Sequence, residues 1–259
     1  MAYNQQYSSQ QMNTQQALNN EQAVLTSNFV GNQMFVKQIS NPLEILADST
    51  QAYIVQEMNL IEVLGLCDVP NQYNVAVVTK SGQKLMLFKC IENSGCCQRT
   101  FCGSGQIAFN MDVNLYDTGT KFADLDKPFS CACCCCCRPE MTCKYTSNEK
   151  VFGKVTEPFT CCKPTYNVYD ANEQLKYIVE FGCFNCACCD YEANIYKPDN
   201  QDQAIGTVIK KATAADFFFK TTTFEIVFPN DATPDDKMVL ISDVLLIDYR
   251  MFEKKSAKT

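Results

Sequence analysis

Six thiols occupy seven consecutive positions in Cys131-Ala132-Cys133-Cys134-Cys135-Cys136-Cys137, a run followed by Arg138-Pro139. Burial alone asks for no such run. Successive side chains point in different directions, so several of these sulfurs face outward, where a thiolate is a nucleophile or a metal ligand. The chemistry that fits best is acylation: each buried CH₂ of an acyl chain contributes about 0.8 kcal/mol, and two chains convert marginal into stable membrane attachment. A cysteine-rich metal site and an inert run of small buried side chains are alternative readings of the same residues. Cys96-Cys97 with Cys102, Cys161-Cys162, and Cys183-x-x-Cys186-x-Cys188-Cys189 form further clusters among the 18 cysteines of a chain that has no histidine. A zinc centre would therefore need sulfur alone or sulfur with carboxylate. Cys183 and Cys186 are its best half-site, no second pair has a compelling spacing, and zinc is not expected.

Other site chemistry is sparse. Without histidine there is no Cys/His or Ser/His nucleophile pair, and the chain contains neither a Gly-rich phosphate loop nor a G-x-S-x-G turn. Asp235-Asp236 after Pro234 reads as a pair of solvated acids in a turn, and the chain is not read as an enzyme. A net charge of -7 and a pI of about 4.8 exclude a nucleic-acid partner, since no dense Lys/Arg stripe is present to neutralise phosphates. Lys254, Lys255 and Lys258 form a small basic patch at the C-terminus. The segment from Met1 to Gln6 has no basic start or apolar stretch of the signal-peptide kind, so the thiols are expected reduced, in the cytosol.

The elements that must position these cysteines are strands. Residues 1–33 are rich in Gln and Asn and read as a solvated tail, and residues 34–259 as one folded domain. Within it, apolar residues recur at every second position: Ile107, Phe109, Met111, Val113 and Leu115; Leu175, Tyr177, Val179 and Phe181; Tyr191, Ala193 and Ile195; Phe224, Ile226 and Phe228. Ser81-Gly82 makes a hairpin turn between Asn74-Val75-Ala76-Val77-Val78 and Leu85-Met86-Leu87-Phe88. Many short strands without βαβ-length helices predict a mainly β sandwich or barrel. Met238 to Ile247 is apolar around most of its circumference, as a helix inside a barrel or a core strand would be. The longer stretch to Phe252 carries Asp243, Asp248 and Arg250, each costing about 2.5–3.5 kcal/mol at a bilayer centre, so it reads as a buried element and not a span.

Taken in order along residues 35–253, several segments resemble the phospholipid scramblase family. They are Asn41-Pro42-Leu43-Glu44, matching the family's opening strand; Cys96-Cys97-Gln98-Arg99 through Cys102-Gly103; Lys127-Pro128-Phe129-Ser130 with the cysteine run; Gly182-Cys183 through Cys188-Cys189-Asp190; Phe224-x-Ile226-x-Phe228-Pro229; and Leu245-Leu246-Ile247-Asp248-Tyr249. The resemblance implies a tubby-like fold, a closed antiparallel β-barrel of about twelve strands around a central C-terminal hydrophobic helix. That helix would contain Met238, Val239, Leu240, Ile241, Val244, Leu245, Leu246 and Ile247. It also implies palmitate on Cys131, Cys133, Cys134, Cys135, Cys136 and Cys137, a phospholipid membrane as partner at the cytoplasmic face, the plasma membrane first, and calcium-stimulated, energy-independent lipid movement between leaflets. Two positions depart from the family. Its calcium aspartates are replaced by Lys220 and Thr222, which predicts weak or absent calcium binding, with Asp216, Glu225 and Asp231 as the acids that could substitute. Asp243 interrupts the apolar segment and opposes membrane insertion. The competing functions are a non-transporting, lipid-anchored scaffold within a protein assembly, and a thiol-rich metal-binding protein.

Overall fold

The computed structural model describes residues 34–35, 39, 41–57, 70–93, 108–130, 138–183, 190–212 and 222–252. The 1–33 tail, Ile107 and Cys131–Cys137 lie outside the described residues. The elements are β1 (Met34–Phe35), α1 (Pro42–Asp48), β2 (Ser49–Gln56), β3 (Gln72–Thr79), β4 (Lys84–Asn93), β5 (Phe109–Leu115), β6 (Lys121–Lys127), β7 (Glu140–Tyr145), β8 (Val151–Thr156), β9 (Thr165–Asp170), β10 (Leu175–Phe181), β11 (Tyr191–Tyr196), β12 (Gly206–Lys210), β13 (Thr223–Val227), α2 (Pro234–Ile247), and a π-helical turn, Asp248–Phe252.

From β2 to β13 each strand pairs antiparallel with the next, and β13 returns to β2 through the register Phe224–Ile54 and Ile226–Ala52. The result is a closed, up-and-down, mainly β barrel, to which β1 adds a short parallel pairing on β4. Closure leaves the ring without an exposed edge. The period-2 alternation of the sequence is the inside–outside alternation of the wall: Phe109, Met111 and Val113 are buried on β5, Tyr177, Val179 and Phe181 on β10, Tyr191, Ala193 and Ile195 on β11. The Ser81-Gly82 hairpin forms as expected, with Gly82 at φ +81° and its N–H donating to the Thr79 carbonyl at 2.8 Å.

Two sequence readings need correction. Asn41-Pro42-Leu43-Glu44 opens a helix, α1, and not a strand. Asn41 is its N-cap: Oδ1 accepts from the Leu43 N–H at 3.1 Å while Nδ2 donates to Glu44 at 2.9 Å, and Pro42 occupies the first turn, where its missing N–H costs nothing. Asp235 and Asp236 are likewise no solvated turn pair. They form the first turn of α2 after the N-cap Thr233, whose hydroxyl accepts from the Asp236 N–H at 3.2 Å while Asp236 Oδ2 accepts from the Thr233 N–H at 3.0 Å. The barrel wall also holds these acids, since Tyr145 donates to Asp235 at 2.6 Å and Tyr177 to Asp236 at 3.4 Å.

Helix α2 is the core. Met238, Val239, Leu240, Ile241, Val244, Leu245, Leu246 and Ile247 are all buried, so the segment is a helix enclosed on every side and not a core strand. Lys237, also buried, ties it to α1 by donating to the carbonyls of Leu46 at 2.8 Å and Ser49 at 2.7 Å at the C-terminus of α1. Gly153 on β8 lets α2 approach the wall: a Cβ there would stand 2.3 Å from Val239 Cγ2 and 2.7 Å from the Tyr169 carbonyl. Asp243 is fully buried, and neither carboxyl oxygen has a hydrogen-bond partner. Burial pushes its pKa well above the usual carboxylate range, so the group is held as the neutral acid.

These features carry two expectations. Gly153→Ala should lower unfolding stability by about 1–3 kcal/mol, because backbone and a branched side chain meet the new methyl, and urea titration reads the loss. For Asp243 the folded protein keeps a proton that the unfolded chain releases above about pH 3.9. Stability should therefore fall as pH rises from there toward the folded value. Asp243→Val should flatten that slope and add about 1–3 kcal/mol at neutral pH by removing an unsatisfied buried polar group, measured as the urea midpoint across a pH series.

Candidate functional site at the loop end of the barrel

Alternating strand direction gives the barrel two unlike ends. At the turn end, short connections such as 80–83, 116–120, 146–150 and 171–174 join the strands, and α2 starts there. The connection 197–205 also lies at the turn end; at the loop end the connections 57–71, 94–108, 128–139, 157–164, 182–190 and 211–222 leave and return, and α2 finishes there. Contacts along the axis agree with this assignment. Tyr73, at the start of β3, donates to Asp248 at 2.7 Å, and Phe109, at the start of β5, packs against Tyr249 with the rings tilted by 52° and their centroids 4.5 Å apart.

The same parity sorts the cysteines. Cys90 and Cys143 lie in strands, are fully buried, and have thiols pushed up to about 12 by desolvation, which makes them inert core residues. Every other cysteine belongs to a connection whose two strand ends are at the loop end. Of these, Cys161, Cys162 and Cys183 are described, and they are free and exposed. The clusters that looked separate in the sequence are thus attached to one rim. Cys67, Cys96, Cys97, Cys102, Cys186, Cys188 and Cys189 themselves lie outside the described residues, as does the 131–137 run.

Charged side chains brace the base of that run. Lys127, the last residue of β6, has no exposed surface; its Nζ donates to Ser130 Oγ at 3.4 Å and sits 5.9 Å from the Phe109 ring centroid and 5.7 Å from that of Tyr249. Burial, reinforced by the Arg250 charge and opposed by Glu157, pulls its pKa down to about 8. Glu157, with 13% of its side chain exposed, joins the two sides of the rim. Arg138 Nη2 donates to one carboxylate oxygen and its Nε to the Glu157 carbonyl at 3.1 Å, while Arg250 Nε donates to the other oxygen at 2.5 Å. One carboxylate thereby fastens the residue that follows the cysteine run to the turn that follows α2. The sequence reading missed Glu157 because its partners are 19 and 93 positions away.

The acids considered for calcium are dispersed. Glu225 projects from β13, takes a hydrogen bond from Tyr53 at 3.4 Å and pairs with Lys211 at 3.0 Å. Asp231 lies at the turn end and pairs with Lys197 at 2.6 Å, and that hydrogen bond holds its carboxyl below the usual range. Asp216 and Lys220 lie outside the described residues. Thr222 is buried with its hydroxyl bonded to Gln56 at 3.2 Å. Among the described residues no three acidic or thiol side chains are arranged to hold a metal ion, so the described donors do not fit a calcium cage. No described helix is long and apolar enough to cross a membrane.

The double clamp predicts that Glu157→Gln lowers stability by about 1.5–3 kcal/mol, the range for hydrogen bonds to charged groups. Glu173→Gln, which removes the exposed partner of Lys154 at 3.6 Å, should leave the urea midpoint nearly unchanged.

Comparison with known proteins places this geometry in context. The family model described as Scramblase matches residues 26–254, which takes in the whole barrel, α2 and the cysteine run. Phospholipid scramblase 1 of Mus musculus is 28% identical over 219 residues, covering 82% of this chain and 64% of its own length. The chain thus spans somewhat under two thirds of that relative. With the barrel, its enclosed helix and the cysteine-bearing rim all inside the matched region, the chain belongs to the scramblase family.

Proposed function

We propose that this chain is a phospholipid scramblase-like protein, acyl-anchored through Cys131 and Cys133–Cys137 at the cytoplasmic face of a membrane, which mediates bidirectional, energy-independent phospholipid movement with little dependence on calcium. The observation that carries the reading is the family match across residues 26–254. Membership supports interaction with phospholipid, and the six thiols flanked by Ser130 and Arg138 suit multiple acylation, which holds a protein firmly where one chain would not. Weak calcium dependence is supported by the lysine and threonines in place of acids, and by the commitment of Glu225 and Asp231 to Lys211 and Lys197.

The barrel also constrains mechanism. A polar headgroup crossing hydrocarbon must be shielded, because unpaired polar groups are costly there. The interior of this barrel is occupied by α2 and the inward side chains of the wall. Shielding would therefore come from the outer surface or the rim, where protein and lipid meet, and not from a conduit along the axis. The same filled interior supports a second reading, in which the chain is a lipid-anchored scaffold in a protein assembly and moves no lipid.

Reconstitution separates the two. Purified full-length protein in liposomes should translocate labelled phospholipid at similar rates with calcium and with chelator. Replacing Cys131 and Cys133–Cys137 with alanine should release the protein from membranes in cells. Strong calcium stimulation would overturn the calcium reading, whereas no translocation in either condition, with acylation and attachment intact in cells, would establish the scaffold.

A further inference from the structure

Three large hydrophobic side chains are exposed among the described residues: Tyr116 at 36%, Phe129 at 61% and Phe159 at 62%. The two most exposed are at the loop end. Phe129 lies in the β6–β7 connection two residues before Cys131, and Phe159 in the β8–β9 connection two residues before Cys161-Cys162. Tyr116 is in a turn at the opposite end, between β5 and β6. Two phenylalanines more than half exposed, on neighbouring hairpins of one rim, are an apolar feature that barrel folding does not use.

We propose that the loop end, with Phe129 and Phe159 at its edge, is the face that docks on a phospholipid bilayer, the barrel axis standing out from the membrane and the turn end facing away. The surroundings of these rings select lipid as the occupant. An acyl chain on Cys131 would fix the bilayer within about 7 Å of extended backbone from Phe129, so an anchored protein brings this ring to the membrane whatever else it does. The exposed thiols Cys161, Cys162 and Cys183 belong to the same end. Beyond Phe252, where α2 and its π-helical turn finish at the loop end, the sequence continues with Lys254, Lys255 and Lys258 against a single Glu253, a charge that complements anionic headgroups. Aromatic rings at an interface with basic residues beside them are the usual side chains of a membrane-facing edge. The clamp of Arg138 and Arg250 on Glu157 then has a mechanical meaning: it joins the anchor-bearing connection to the end of the central helix, so that the anchored rim and the core move as one body.

This inference rests on membrane attachment in the reading above and not on lipid translocation. The chain contains no tryptophan, so a single introduced indole reports its own surroundings without background. Phe129→Trp, Phe159→Trp and Tyr116→Trp would be made one at a time in the full, acylated chain and bound to vesicles of phosphatidylcholine and phosphatidylserine. Blue-shifted emission and quenching by bromine-labelled acyl chains are expected for the two loop-end variants and absent for Tyr116→Trp. The double variant Phe129→Ser/Phe159→Ser should in addition weaken vesicle retention of protein whose acyl chains have been removed with hydroxylamine. Quenching of Tyr116→Trp alone, equal quenching at all three sites, no quenching in vesicle-bound protein, or failure of the acylated chain to bind vesicles would each overturn the docking face. Translocation combined with quenching confined to Tyr116→Trp would overturn it while leaving the scramblase reading intact; quenching at the loop end without translocation would support it and count against that reading.

Discussion

A helix that is apolar on every side must be enclosed on every side, and the rest of this structure follows from that constraint. Burial of α2 from Asp236 to Ile247 removes a whole cylinder of side chains from water, which no single sheet face or helix stripe can do. A ring of twelve antiparallel strands can, and by closing through β13 and β2 it also satisfies the backbone groups that an open sheet would leave at its edges. The alternation along each strand supplies the inner surface. Where Val239 packs against β8, the wall residue is Gly153, and a Cβ there would not fit.

Enclosure has a polar side as well. The orphan N–H groups of α2 are met by Thr233 and Asp236, and its first-turn acids by Tyr145 and Tyr177 from the wall. Lys237 satisfies carbonyls at the end of α1, and Asp248 is reached by Tyr73. The helix is therefore held in register along the axis by hydrogen bonds at its two ends, while its middle is held by packing. Asp243 is the exception: a carboxyl in the middle of the helix, deprived of partners and kept neutral by desolvation.

An up-and-down ring with an even number of strands necessarily segregates its connections into two sets. Here the shortest turns, 80–83, 116–120, 146–150 and 171–174, fall in one, and every cysteine-bearing connection has both of its strand ends in the other. The helix that fills the core also determines what reaches that rim, because its last turn delivers Arg250 to Glu157 and Tyr249 to Lys127. Chemistry at the loop end and stability of the core are thereby linked through a few side chains.

The strands of this protein were legible in its sequence because alternation is a local property: Phe109, Met111 and Val113, or Leu175 to Phe181, specify an inward face with no knowledge of their partners. The apolar circumference of Met238 to Ile247 likewise specified enclosure, although not whether as helix or strand; the Thr233-Pro234-Asp235-Asp236 cap decides for helix but reads locally as a turn, and the Asn41-Pro42 cap of α1 reads as the opening of a strand. What the sequence could not decide was which distant residues meet. Glu157 between Arg138 and Arg250, Lys127 over Phe109 and Tyr249, and the gathering of the cysteine connections at one end depend on strand direction and ring closure, which are properties of the whole chain. Local periodicity is encoded within a few residues of itself, whereas the juxtapositions that make a site are fixed only when β13 pairs with β2.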